Sequence, residues 1–172
     1  MPWRKASGTA FVTALPTSPV DGQEVYYQAD GTNGVIWHLR YRAASSSANK
    51  WEFVGGSALG VTNTNLGALA IGTTPIELTG QRVVLPLAGT YVLSANAAAL
   101  AATIQHTLRI NGVDVSGLVA TMDETWDQMS ASVIATAATA GLVAAHYVNA
   151  PVGSYTPTYY GCSFFAIPIR VG

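Results

Sequence analysis

Residues 34–43, GVIWHLRYRA, place Val35, Trp37, Leu39 and Tyr41 at one parity and Ile36, His38, Arg40 and Arg42 at the other. A period of two belongs to an extended chain whose successive side chains point to opposite faces. The stretch is therefore read as a strand with one apolar face. EVYYQA at 24–29 precedes it between two turn-forming segments, DGQ and DGTNG, and KWEFVGG at 50–56 follows it with Trp51 and Phe53 on one side. Three such strands sharing an apolar face form a meander able to persist, where a lone hairpin would be marginal.

The same grammar continues to the end of the chain. QRVVLPLAGTYVLSANAAA holds two strands around LAG. In HTLRINGVDV, Asn111-Gly112 stands between Leu108/Ile110 and Val113/Val115, which predicts a hairpin closed by a type I′ turn. MSASVIATAATAGLVAAHYVN reads as two strands broken at Ala140-Gly141; its alanines favour helix, but its β-branched residues follow no 3.6-residue stripe. YYGCSFFAIPIRVG closes the chain as a strand in which Pro168 calls for an edge or a bulge. Many short strands punctuated by Gly, Pro and Asn indicate a sandwich or barrel. The expected fold is all-β: an N-terminal β-rich segment at 1–58, a Gly/Thr/Asn-rich linker at 59–75, and an antiparallel jelly-roll sandwich at 76–172.

Charge now constrains assembly. Only 10% of the 172 residues are charged, against about 25% in ordinary soluble domains. Several strands are apolar or small on both faces, so the second face needs a cover, and a symmetric homo-oligomer supplies one. The net charge of −1 carries no basic footprint for nucleic acid. Residues 130–148 come nearest to a membrane span, but Ser130, Ser132, Thr136, Thr139, Gly141 and His146 interrupt them, and membrane insertion is not expected. Cys162 is the only cysteine and is read as a buried small hydrophobe.

Chemistry is sparse. His38, His106 and His146 show no ligand spacing and are read as structural or surface residues, with no metal and no cofactor expected. Asp123, Glu124 and Asp127 cluster around Trp126; calcium would want such oxygens, but the spacing matches no EF-hand loop, and the group is read as a solvated loop with Trp126 packing under it or, alternatively, stacking on a sugar or anchoring a neighbour. No catalytic constellation stands out, so no enzyme is expected. Trp37, Tyr41 and Trp51 are read as the core of the meander, and Arg40 and Arg42, on the opposite face, as free for the carboxylates of a partner protein. Together these five residues make the expected docking element.

Two stretches resemble known families. PTSPVDGQEVYYQAD, VIWHLRYRA and KWEFVGG, within residues 15–56, resemble a segment of virion structural proteins of tailed bacteriophages, often minor tail or fibre-type proteins. LAGTYVLSANAAA, LRINGVDV, AGLVAAHYVN and FFAIPIRVG, within 76–172, resemble the jelly-roll domain of the tumour necrosis factor and complement globular-head type, although the usual GD turn is here Ala140-Gly141. The first resemblance implies a part of a virus particle assembled in the bacterial cytoplasm, at the tail or, alternatively, decorating the head. The second implies a compact homotrimer. A carbohydrate-binding lectin-like module that takes a host-surface glycan is a further alternative.

Overall fold

The computed structural model describes residues 9–100, 103–115, 120–122 and 127–172. The strands are β1 (Ala10–Val12), β2 (Glu24–Asp30), β3 (Val35–Tyr41), β4 (Trp51–Gly56), β5 (Leu59–Ala68), β6 (Ile76–Leu85) and β7 (Gly89–Leu100). They continue as β8 (Ile104–Ile110), β9 (Val113–Asp114), β10 (Ala120–Met122), β11 (Asp127–Ala137), β12 (Leu142–Asn149) and β13 (Thr158–Val171). No helix occurs among the described residues. Two sheets pack together as an all-β sandwich. The larger, of eight strands, runs β1-β2-β3-β4-β13-β7-β11, with β5 also paired to β13; the smaller, of five, runs β10-β8-β12-β6, with β9 on β8.

The local signals act as expected. Asn111 and Gly112 both take positive φ, 50° and 79°, the pair of left-handed residues that a type I′ turn between β8 and β9 requires. Residues 130–148 lie in β11, its turn and β12. Pro168 sits at a register shift of β13, between the last partner in β5 (at Ala166) and the first in β4 (at Arg170). Its missing N–H therefore costs no ladder bond on that side.

The segment read as a linker is different. Leu59–Ala68 forms β5 and pairs with β13 from Leu59↔Ala166 to Ala68↔Thr158. A charge-free stretch carrying Val61, Thr62 and Thr64 has strand propensity and no charge to keep it in solvent, so it takes the open edge of β13. The meander joins the same sheet, because Trp51 and Glu52 of β4 pair with Val171 and Arg170 at the far end of β13. One buried cluster accordingly unites Val25, Trp37, Leu39 and Trp51 with Leu85, Tyr91, Leu93, Leu108 and Phe164.

Between the sheets, Ala95, Ala97 and Ala99 of β7 and Ala131, Ala135 and Ala137 of β11 are buried. Their small side chains leave room for Ile104, Leu108 and Ile110 of the opposite sheet, an alternation of small and large that fills a core without strain. A second cluster, at the other end of the sandwich, gathers Ile71, Leu78, Ile104, Met129, Val148, Tyr159 and Cys162. Burial pushes the Cys162 thiol up to about 11, which leaves it an unreactive core group.

Candidate functional site

The residues singled out in the meander separate into two sets. Trp37 is fully buried; its ring lies 6.0 Å from Tyr27, 6.5 Å from Phe53 and 6.2 Å from Tyr91, and its Nε1–H donates to the Ser57 carbonyl at 3.0 Å. Trp51 is buried too, with the half-buried Tyr41 ring against it at 5.3 Å. These aromatics form the core that the alternation of β3 implied, and through Tyr91 they also bind the meander to the sandwich.

The arginines are not free. Antiparallel register sets Arg40 opposite Glu24 on one side and Glu52 on the other. Arg40 Nη2 lies 2.6 Å from Glu24 Oε1, and Arg42 Nε donates to Glu52 Oε2 at 2.9 Å. His38 Nε2 is 2.9 Å from the other Glu24 oxygen, and Arg170 Nη2 approaches Glu52 at 3.5 Å. The hydrogen bonds from Arg40 and His38 hold the Glu24 carboxyl below its ordinary value, and the one from Arg42 does the same for Glu52. The cations expected to await a partner thus form a self-satisfied ladder. Besides Arg42, the large side chains that the meander leaves exposed are apolar: Tyr26, Ile36 and Val54.

The charged ladder ends at Arg170, and beyond it the outer face of the same sheet changes character. Directly opposed residues share a face, and the register gives the rows Ile134–Val92–Ile167, Ser132–Ser94–Phe165 and Ser130–Asn96–Ser163. Ile134 is 65% exposed and Ile167 40%, so this face points outward. Ser94 and Ser132 hydrogen-bond through their hydroxyls, and Asn96 Nδ2 donates to Ser163 Oγ at 3.2 Å. Strands β5, β13, β7 and β11 contain no charged residue except Asp127 and Arg170, one at each end. This face of charge-free rows is invisible to sequence reading, because it exists only once β7, β11 and β13 are aligned.

Asp123, Glu124 and Trp126 lie outside the described residues, and Asp127 is the first residue of β11, its backbone paired with Ala99. Among the described residues no three His, Cys, Asp or Glu side chains converge in a way that would hold a metal ion.

Two histidines with no sequence relationship are brought together inside the smaller sheet. His106 of β8 and His146 of β12 are both buried, their rings 5.1 Å apart, with His106 Nδ1 2.9 Å from His146 Nε2. Their one legible signal was parity: each shares its face of the strand with apolar core residues, Leu108 beside His106 and Val148 beside His146.

The arrangement defines a two-sheet all-β sandwich of jelly-roll-like class. Neither a scan against protein-family models nor a search of curated proteins returns a match for the chain.

Proposed function

We propose that this chain is a structural subunit of a tailed-bacteriophage virion, a fibre or minor tail component that assembles as a homotrimer and is anchored through its N-terminal β-region. The observation that carries the reading is the division of one outer sheet face into a charge-paired meander and a charge-free platform. A platform that carries no charge, pairs its Ser and Asn side chains with one another and presents Ile134, Val92 and Ile167 suits a permanent interface between copies, where charged residues are depleted. The resemblance of residues 15–56 to virion proteins supplies the setting. With Trp37 and Trp51 committed to the core, the docking role passes to the exposed Tyr26, Ile36 and Val54, framed by the ladder.

The test is to locate the protein on purified particles by electron microscopy, using wild type and Ile36→Asp. Wild type is expected on the tail, and Ile36→Asp is expected to fold but to be missing from particles. Density on the head would move the role to capsid decoration, and full incorporation of Ile36→Asp would take docking away from this face.

A further inference from the structure

We propose that the buried His106–His146 pair is an acid-sensitive latch joining β8 to β12, and that protonating it opens the β6–β12–β8 end of the smaller sheet while the meander stays formed. The contact uses one ring nitrogen as donor and the other as acceptor, which two neutral imidazoles satisfy. A proton added to the acceptor sets two N–H groups face to face at a separation of 2.9 Å and puts a charge in the core.

The side chains described around the pair from β6, β12 and β13 offer that charge little. Tyr159 of β13 presents its ring 6.4 Å from His106, edge to face. Gln81 of β6 is fully buried, and Leu78, Ile104 and Val148 are apolar. No carboxylate, lysine or arginine is buried among the described residues. His146 Nδ1, both amide atoms of Gln81 and Tyr159 Oη have no hydrogen-bond partner, so these three side chains are already short of bonds.

The backbone beside the latch is also the irregular part of the ladder. Pairing jumps from Ala145↔Arg82 to Tyr147↔Glu77, which leaves Leu78–Gln81 opposite His146 alone, with Gly80 at a φ of 72°. A bulge interrupts hydrogen bonding and marks where strands part at least cost.

Burial drives both imidazoles below their ordinary 6.5, His106 to about 4, and the proximity of His106 lowers His146 further. A depressed imidazole leaves the closed state at full strength above 6.5 and weakens it as pH falls from 6.5 towards the buried value. At pH 4.5, one such group raises the open population by up to about 100-fold relative to pH 7, and the second histidine multiplies that factor.

Hydrogen exchange of the full chain at pH 7 and pH 4.5, corrected for intrinsic rates, reads this directly. Residues 76–85, 104–110 and 142–149 are expected to exchange more than about 100-fold faster in acid while 24–56 keep their protection, and His106→Gln with His146→Gln is expected to abolish the difference. Should the double variant not fold, an NMR titration of the wild-type rings serves: both are expected to take up protons below pH 5, in step with the loss of protection. Ring titration near 6.5 with the sheet intact, or equal loss of protection in every strand, would overturn the latch.

Discussion

Trp37 shows how much one residue in this chain does. It closes the meander against Tyr27 and Phe53, reaches across to Tyr91 of β7, and satisfies its own N–H at the Ser57 carbonyl. Trp37→Ala removes a fully buried indole and is expected to cost about 3–5 kcal/mol, read as a lower denaturant midpoint. Gly56 explains why nothing larger is tolerated beside it: a Cβ there would stand 2.2 Å from the Ile36 carbonyl oxygen, and the backbone holds φ at 130°. The burial of Trp37 was legible from the parity of β3. Its partner Tyr91 was not, since 54 residues of chain separate them and only the closed sandwich joins them.

At the scale of elements, the meander's ladder changes what a charge substitution reports. Arg40→Glu no longer removes a docking group; it sets a carboxylate between Glu24 and Glu52. The variant is expected to melt below wild type, and Arg40→Gln to lose less, in a thermal scan at pH 7. Glu24 is held below its ordinary 4.5, so its contribution is present above that value and is lost as pH falls through the lowered one. The gap between wild type and Arg40→Gln is therefore expected to close in acid. Like charges directly opposed across antiparallel strands repel, which is why the register decides the sign of the effect.

For the whole molecule, the question is what covers the outer face of β7, β11 and β13. Ile134 is the most exposed large residue of the Ile134–Val92–Ile167 row. Ile134→Lys puts a charge on the platform, at its β11 edge, and leaves the inner core untouched. If copies pack there as proposed, sedimentation is expected to give a homotrimer for wild type and a 17.9 kDa monomer for the variant. An unchanged trimer would place the interface elsewhere, and a wild-type monomer would remove the reading of the low charge. The larger sheet also ties residues 24–56 to the rest of the molecule: Tyr27, Trp37 and Trp51 share one buried cluster with Tyr91 and Phe164.

By itself the sequence determined where most strands lie and which face of β3 is apolar, because alternation and turn chemistry are local and act within a few residues. It also determined that the surface is poor in charge. Only the tertiary structure decided which strand edges meet. It placed β5 and β4 on one side of β13 and β7 on the other, paired Arg40 with Glu24, and set His106 against His146 across 40 residues of chain. Register between distant strands is chosen by the fit of whole faces, and no short stretch of sequence contains both faces.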